Sequence, residues 1–423
     1  MAVMLQRKPD YSLLTVVGML VPLGLVMVYS ASFMRAYADT GDQLYYTWRQ
    51  MIAALIGTVG LLVAQRIDYR VWRRFSVHLM AGTLFLLLLT LILPASMTEA
   101  NGARSWIRIG AFSMQPSEIA KLTLVIYFAD WLSRRGEKLT NVTYGLVPFA
   151  LMLGVVCGLV MLGRDLGTTI VLVLIAGIVY FTAGANVLHV IGASLVAGSA
   201  FWGLINIAAY RQERIAAWID PFAHYQGAGY QPVHALYALA SGGLFGVGIG
   251  QARQKFFWLP EAHTDAIFAI IGEEFGLIGT LFVVTCFLVI AYRGMRIAGR
   301  SPDPFAALLA TGITVWLVFQ ALINIAVVTT LIPFTGLTLP FISYGGTSLT
   351  VCMTAVGIVL NISRYASNPS PGATDETVTD TARSGRAVSF ARLAGWWRNG
   401  RSRVSGVSRR RSTQRAWGAI RRR

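Results

Sequence analysis

Long apolar stretches recur from residue 11 to residue 363, and each is about as long as a helix must be to cross a bilayer core. Inside lipid the backbone has to satisfy its own hydrogen bonds, so these stretches are expected to be helices. We predict ten of them, at residues 11–32, 48–65, 75–94, 117–133, 143–162, 166–184, 188–209, 266–292, 304–331 and 342–363. The expected fold is an all-α polytopic membrane protein with about ten transmembrane helices.

Two of the connections between the predicted spans are long, at about 95–116 and about 210–265. Long connections often carry function. Within the second, the segment VHALYALASGGLFGVGIG (233–250) is almost apolar enough to be another span, but it is rich in glycine and contains a histidine. We interpret it as a re-entrant or interfacial element within a large loop on the outer side, between spans seven and eight.

The short connections set the predicted orientation, because Lys and Arg accumulate in cytoplasmic loops. Basic residues are concentrated in RIDYRVWRR (66–74), in SRRGEK (133–138) and in residues 293–303. With ten spans these loops and both termini lie on one side, which we predict to be the cytoplasm. The expected organisation is a cytoplasmic N-terminus (1–10), a membrane domain (11–365) and a basic cytoplasmic tail (366–423).

Composition supports the membrane assignment and isolates the basic charge in the tail. The 423 residues are 55% hydrophobic and 13% charged, with a mean hydropathy of +0.59, which leaves too few charges to cover a soluble protein. Residues 383–423 carry thirteen arginines and no acidic residue, so the rest of the chain shares only +4 of the net charge of +17. The tail is rich in Ser, Gly, Pro and Arg, which predicts a disordered segment suited to anionic lipid and no nucleic-acid partner.

Ionisable residues inside apolar spans are costly and are therefore candidates for function. Glu118 and Lys121 in QPSEIAKL are spaced i, i+3, so they share a helix face and can pair. Glu273 and Glu274 lie within the eighth span and need a partner, a proton or water. For all four residues, a structural ion pair that holds helices together is an equally good interpretation. The three cysteines lie far apart in apolar stretches and indicate neither a disulfide framework nor a metal ligand set.

A denser polar group precedes the eighth span in the sequence WLPEAHTD. Glu261, His263 and Asp265 lie within five positions there, at the predicted outer surface. A helix N-cap would explain Asp265 by itself but would not explain the whole group, nor the nearby Arg253 and Lys255. The motif therefore indicates a site at the boundary between water and lipid.

Irregular backbone is predicted in LIPFTGLTLPFISYGGTSL (331–349). Pro333 and Pro340 interrupt a helix, and Gly345 and Gly346 allow backbones to approach closely. Such backbone persists at membrane depth where it lines an enclosed or wet cavity, although packing can also require it. Together with Arg104, Trp106, Arg211 and Arg214 in the outer connections, it indicates a cavity open to the outer leaflet that accepts anionic ligands.

Five motifs together resemble the SEDS family (shape, elongation, division and sporulation). They are WLPEAHTDAIFAIIGEEFGLIG, LPFISYGGTSL, NGARSWIRIGAFSMQPSEIAKL, RDLGTT, and YRQERIAAWIDPF followed by GYQ. Members are ten-span bacterial membrane proteins that polymerise the peptidoglycan precursor lipid II beside a class B penicillin-binding protein, the transpeptidase that cross-links the glycan. PEAHTD and FTGLTLPFISYGGTS resemble the members that act in cell division more than those that act in elongation. Two positions depart from the family pattern: Gly163 and Arg164 replace Gln-Pro, and Ser105 replaces an Arg before Trp106.

The resemblance implies a peptidoglycan glycosyltransferase of septal wall synthesis in the bacterial cytoplasmic membrane, working with other division proteins. The family's essential acidic residue corresponds to Asp265, which as a general base would deprotonate a sugar hydroxyl as it attacks an anomeric carbon. Positions expected around the lipid-linked substrate are Arg104, Trp106, Glu118, Lys121, Arg214, Gln231, Lys255, Glu261, His263, Thr264 and Ser343. No residue is predicted as a metal ligand, but Mg²⁺ or Mn²⁺ at the leaving pyrophosphate is a possible cofactor.

Three alternatives to a septal polymerase stay open. The chain could be an elongation polymerase of the same class, a flippase that carries lipid II across the bilayer, or a scaffold for a penicillin-binding protein. Transporters often contain paired broken helices, whereas here Gly and Pro interruptions concentrate near residues 331–346. A scaffold would not need clustered ionisable residues on its outer face.

Overall fold

The computed structural model describes residues 8–100, 102–110, 112–207 and 209–365. Its helices are α1 Tyr11–Thr40, α2 Tyr45–Arg66, α3 Tyr69–Ile92, α4 Ala95–Thr98, α5 Pro116–Ser133, α6 Val147–Leu162, α7 Leu166–Thr182, α8 Val187–Ile207, α9 Ala209–Ile219, α10 Tyr230–Gly242, α11 Ile267–Gly299, α12 Pro304–Val328 and α13 Gly346–Ser363. Each predicted span coincides with a long helix. The boundaries differ most at α1, which continues to Thr40, at α11, which continues to Gly299, and at α3, which begins at Tyr69.

Seven helices of the described region are long and apolar enough to cross a membrane: α1, α2, α3, the helical segment Val142–Leu162 that contains α6, α11, α12 and α13. Helix α7 is shorter, with 17 residues, and α5 contains Glu118, Lys121 and Asp130. The chain is a polytopic helical membrane protein, as predicted, and a total of ten spans stays a prediction. The most deeply enclosed spans are α12 and α13, each with 72% of its apolar window buried.

The first long connection contains short strands that the apolar pattern did not predict. Strand β1 (Glu99–Ala100) pairs antiparallel with β2 (Ala103–Arg104), and β3 (Ile107–Ile109) pairs with β4 (Phe112–Met114). Strands of two or three residues are too short to show an alternation of apolar and polar positions. The two hairpins lie between α4 and α5 in the chain.

The second long connection packs against a break in α11. Gly276 has φ 65° and ψ −160°, a conformation that favours glycine, and it interrupts the helix. Four main-chain hydrogen bonds cross the break, from Leu277 to Gly243, Ile278 to Leu244, Val247 to Glu273 and Gly248 to Glu274. The segment after α10 thus satisfies backbone groups that the interrupted helix leaves free. This contact is compatible with the predicted re-entrant element, whose depth in a membrane stays a prediction.

The three basic connections meet at one end of the helix bundle. The Tyr69 hydroxyl at the start of α3 donates to Asp303 before α12. The Arg73 guanidinium contacts Asp130 near the end of α5 at 3.1 Å, and Arg293 near the end of α11 pairs with Asp10 before α1. Asp265 precedes the start of α11, whereas Arg293 lies near its end. The basic connections therefore lie at the end of the bundle opposite to Asp265.

Residues 331–345 are irregular, as predicted, but the close backbone approach occurs at a different glycine. A β-carbon on Gly24 of α1 would lie 2.5 Å from the carbonyl oxygen of Phe341, whereas β-carbons on Gly345 and Gly346 would meet ordinary contacts at 3.5 and 3.4 Å. The prediction that Gly345 and Gly346 provide the close approach was therefore wrong. The absence of a side chain at Gly24 is what lets this segment lie against α1. Predictions about the tail (366–423) and most of the N-terminal segment (1–10) fall outside the described residues.

Candidate functional site

Asp265 lies in the last turn before α11, and its residue surface is only 9% exposed. The N-cap position of α11 is occupied by Ala266, and no side chain caps the helix there. Capping therefore does not account for Asp265. A carboxylate removed from water without a capping function is a candidate for chemistry.

Neighbouring polar groups surround the Asp265 carboxylate without neutralising it. The Thr264 hydroxyl donates to Oε2 of Glu261 at 2.9 Å and lies 3.4 Å from Oδ1 of Asp265. The side-chain amide of Gln231 lies 3.5 Å from the same Oδ1. Glu261 itself has φ 52°, an uncommon conformation for a residue with a side chain. These residues form one acidic group at the start of α11.

The pKa of Asp265 is raised to about 7, mainly by burial and in smaller part by the negative charge of Glu261. The guanidinium of Arg214 and the Thr264 hydroxyl act in the opposite direction on the pKa. A carboxylate that exchanges its proton near neutral pH is suited to act as a general base.

His263 packs in an aromatic environment beside the acidic group. Its ring centroid lies 4.7 Å from that of Tyr46 and 5.5 Å from that of Tyr344. Burial lowers the pKa of His263 to about 4, so the ring is neutral at physiological pH. Its carbonyl oxygen accepts a hydrogen bond from the Tyr344 amide at 2.9 Å. His263 thereby joins the Asp265 segment to residues 331–345.

Glu273 and Glu274 hold the segment that leads to Asp265. The Glu273 carboxylate accepts from the Arg253 amide at 2.7 Å and from the Gln254 amide at 3.3 Å. Glu274 accepts from the ammonium of Lys255 at 2.7 Å. Lys255 was expected near the substrate, but the structure places it in this buried pair and not beside Asp265. The two glutamates anchor three consecutive residues of the loop to α11.

The predicted pairing of Glu118 with Lys121 is confirmed. Their side chains meet at 2.6 Å in the interior, and the Lys121 ammonium also donates to Oε1 of Gln320 at 2.8 Å. The side-chain amide of Gln320 donates to the carbonyl oxygen of Thr338 at 2.9 Å. The pair is thus connected to the irregular segment, although neither member contacts Asp265 directly.

Arg104 and Arg214, which were predicted to line one cavity, line two different cavities. Arg104 on β2 lines a cavity of about 360 Å³ together with Glu99, Gly102, Leu162 and Arg164. Arg214 on α9 lines a narrow cavity with Trp218 and Phe334, and its guanidinium donates to the Phe334 carbonyl at 3.2 Å. These two cavities have no lining residue in common, because the first hairpin and α9 contact different parts of the fold, and a common cavity for anionic ligands stays a prediction.

Two further residues that were predicted near the substrate form hydrogen bonds with backbone groups. The main-chain amide of Trp106, between the two hairpins, donates to the carbonyl of Thr98 in α4 at 3.3 Å. The Ser343 hydroxyl accepts from the Leu339 amide at 2.8 Å and closes a turn of the irregular segment. The structure brings Glu261, Thr264 and Gln231 to Asp265, whereas the hydrogen bonds described for Trp106 and Ser343 are with other backbone groups.

Sequence reasoning missed two residues close to Asp265. Asn324 of α12 donates to the Asp265 carbonyl at 2.7 Å. Gly336 lies opposite the carboxylate, where a β-carbon would be 3.9 Å from Oδ2 of Asp265. Asn324 could have been noticed as a polar residue inside an apolar span, whereas nothing in the sequence places Gly336 beside Asp265.

Comparisons with known proteins all point to the same protein family. The family model of FtsW, RodA and SpoVE, described as cell cycle protein, matches residues 11–368. Stage V sporulation protein E of Bacillus subtilis is 44% identical over 364 residues, covering 85% of this chain and 98% of that protein. The probable peptidoglycan glycosyltransferase FtsW of Trichlorobacter lovleyi is 42% identical over 363 residues, covering 84% and 95%. A chain from a solved structure on polymerization and crosslinking by a peptidoglycan synthase complex aligns with a TM-score of 0.69 at 28% identity, covering 84% of this chain and 98% of that chain.

Proposed function

The chain belongs to the FtsW, RodA and SpoVE family of cell cycle proteins, and we propose that it is a peptidoglycan glycosyltransferase that polymerises lipid II. Lipid II is the disaccharide peptide linked to undecaprenyl pyrophosphate. The observation that carries the proposal is the buried Asp265 carboxylate, whose pKa is raised to about 7 at the start of a membrane helix. A base at this boundary suits a sugar whose lipid anchor remains in the bilayer.

In the proposed reaction, ionised Asp265 accepts the proton of the attacking sugar hydroxyl while the oxygen forms a bond to the anomeric carbon of a second lipid-linked sugar. The bond from that carbon to the pyrophosphate breaks, and the undecaprenyl pyrophosphate leaves with the bonding electrons. Thr264 and Gln231 orient the carboxylate. Arg214, exposed and close enough to lower the pKa of Asp265, is suited to stabilise negative charge that develops on the pyrophosphate.

A divalent cation remains part of the proposal. The carboxylates of Glu261 and Asp265 both lie beside the Thr264 hydroxyl, and carboxylates are a donor type that Mg²⁺ and Mn²⁺ prefer. No group of three or more metal-binding side chains occurs within residues 8–365 where these are described. Mg²⁺ is commonly held by one or two carboxylates plus phosphate oxygens, so these two residues would bind it together with the substrate pyrophosphate. The ion would neutralise charge on the leaving group.

We further propose that the Asp265 end of the bundle faces outward and that the basic end faces the cytoplasm. The contacts among the three basic connections support one common side, and Lys and Arg favour the cytoplasmic side. A transpeptidase of the class B penicillin-binding type is the proposed partner, supported by the likeness to a chain of a peptidoglycan synthase complex. The similarity to FtsW supports septal wall synthesis, with elongation as the alternative within the same class.

One observation favours a second function, transport of lipid II. The sequence predicts helix interruptions mainly at residues 331–346, but α11 is also broken at Gly276. Two broken elements are typical of transporters. Against transport, the Glu118–Lys121 and Lys255–Glu274 pairs are closed and hydrogen bonded. They are suited to brace the bundle, and a scaffold role alone would leave the buried Asp265 unexplained.

In the deciding experiment, the purified full-length protein and its partner are incubated with labelled lipid II in vesicles. We expect glycan polymer from the wild type and none from Asp265→Asn, with folding checked by size-exclusion chromatography. Full polymerisation by Asp265→Asn would reject Asp265 as the base. Movement of lipid II between leaflets without polymer would favour the transporter.

A further inference from the structure

Helix α12 carries a stripe of buried polar side chains on one face. Trp316, Gln320 and Asn324 are spaced i, i+4 and i+8, which places them one above the other along a helix. Each is at most 1% exposed. Buried polar groups are costly unless they are hydrogen bonded, so their partners show what the stripe holds together.

Asn324 uses its side-chain amide to join two separate segments. The Nδ2 atom donates to the carbonyl oxygen of Asp265 at 2.7 Å and to the carbonyl oxygen of Leu337 at 2.7 Å. An amide nitrogen has two hydrogens, so both donors are engaged. One side chain of α12 therefore holds the residue that precedes α11 and the middle of the irregular segment at a set separation.

The separation matters because Gly336 is next to Leu337 and faces the Asp265 carboxylate. A β-carbon on Gly336 would lie 3.9 Å from Oδ2 of Asp265. The space beside Oδ2 is consequently bounded by the backbone that Asn324 holds. A substrate hydroxyl that gives up its proton to this carboxylate has to fit there.

Gln320 fastens the next residue of the same segment. Its Nε2 atom donates to the Thr338 carbonyl at 2.9 Å, and its Oε1 atom accepts from Lys121 and from the Trp316 indole, both at 2.8 Å. Leu337 and Thr338 are thus both bonded to α12. The wall opposite Asp265 is held by a continuous buried network that reaches the Glu118–Lys121 pair.

We propose that Asn324 is a positioning residue that sets the distance between the Asp265 carboxylate and the wall at residues 336–338. The proposal rests on the proposed polymerase function. Asn324 is not assigned a contact with substrate or reacting atoms: both Nδ2 hydrogens are donated to backbone carbonyls, and its buried Oδ1 accepts no hydrogen bond within the described residues. Its effect on the reaction passes through the placement of Asp265.

The test compares Asn324→Leu with a matched substitution, Asn361→Leu. Asn361 is also 1% exposed, and its side chain likewise joins two segments, donating to the Gln65 carbonyl and accepting from the Tyr69 amide. It lies at the basic end of α13, about 20 Å along the helix from the irregular segment at 1.5 Å per residue. Both variants lose one buried amide and are expected to lose similar thermal stability.

The kinetic readout separates positioning from general destabilisation. For Asn324→Leu we expect kcat for polymerisation to fall about tenfold or more with KM for lipid II within about twofold, since a displacement of a catalytic group acts mainly on the chemical step. For Asn361→Leu we expect kcat within about twofold of the wild type. Equal losses of kcat in the two variants would overturn the proposal.

A second readout does not require polymerase activity. Cysteines are introduced by Asp265→Cys and Gly336→Cys in a background that lacks Cys157, Cys286 and Cys352. Oxidation should form the 265–336 disulfide several times more slowly when Asn324→Leu is added, but at an unchanged rate with Asn361→Leu. Equal rates would overturn the positioning role. If the wild type makes no polymer, the proposed function fails while this measurement still decides what Asn324 holds.

Discussion

The ammonium group of Lys255 lies 2.7 Å from the Glu274 carboxylate, and both side chains are almost completely buried. Ser30 of α1 completes the group, accepting from Lys255 at 2.9 Å and donating to Glu274 at 2.6 Å. Three segments that are distant in sequence are therefore joined at one point. The contact fastens the loop that leads to Asp265 onto α1 and α11.

Removing one member of this pair should destabilise the fold strongly. We expect Lys255→Met to lower the free energy of unfolding by about 3–5 kcal/mol, because it leaves a buried carboxylate unpaired. The double variant Lys255→Met with Glu274→Gln should recover much of the loss. Thermal unfolding in detergent measures both, and a double variant no more stable than the single one would contradict the interpretation.

The rate of polymerisation should depend on pH through Asp265. Its pKa is about 7 and the base must be ionised, so kcat should fall about tenfold per pH unit below 7 and level off above it. Because the charge of Glu261 helps to raise this pKa, Glu261→Gln should move the midpoint to lower pH. Asp68→Asn, at the basic end of the bundle, should leave the midpoint in place. A midpoint unchanged by Glu261→Gln would count against the assignment.

Replacing Asp265 should stabilise the protein at alkaline pH while abolishing activity. The pKa is raised from 3.8 to about 7 on folding, so the folded state holds its proton more tightly than the unfolded state. Stability is therefore lost as pH rises from about 4 to 7. We expect Asp265→Asn to gain a few kcal/mol at most at pH 8 and to match the wild type near pH 4. Equal melting temperatures at both pH values would refute this.

The contact between α1 and the irregular segment depends on the missing side chain at Gly24. Gly24→Ala should cost about 1–3 kcal/mol, because the new methyl group would collide with the Phe341 backbone. Gly18→Ala in the same helix meets nothing within 4 Å and should be neutral or stabilising by up to about 1 kcal/mol. Melting temperatures of the two variants test this, and similar losses in both would argue against the contact.

The proposed orientation predicts which residues can be labelled from outside the cell. In a cysteine-free background, a cysteine replacing Arg108 on β3 should react with a membrane-impermeant maleimide added to intact spheroplasts. A cysteine replacing Ser301, between α11 and α12, should react only after permeabilisation. The reverse pattern would place Asp265 in the cytoplasm and remove the basis for the proposed reaction.

Much of the fold could be predicted because the signal for a membrane helix is local. Each of the ten predicted stretches coincides with a long helix, since a run of apolar residues needs no knowledge of its neighbours to favour a helix in lipid. The pairing of Glu118 with Lys121 followed in the same way from their spacing on one helix. The short hairpins and the break at Gly276 were missed, because the first are too brief for a periodic pattern and the second depends on the segment packed against it.

The sequence by itself determined the apolar helices and the acidic group before α11, because each occupies a continuous stretch. The resemblance of its motifs to a known family led to the prediction of Asp265 as the base. Only the tertiary structure decided which distant residues meet. It assigned Lys255 to Glu274, separated Arg104 from Arg214, and brought Asn324 and Gly336 to Asp265. The physical reason is that hydrogen bonds and ion pairs require separations of about 3 Å. Among residues tens or hundreds of positions apart, such separations are set by helix packing and not by composition or spacing.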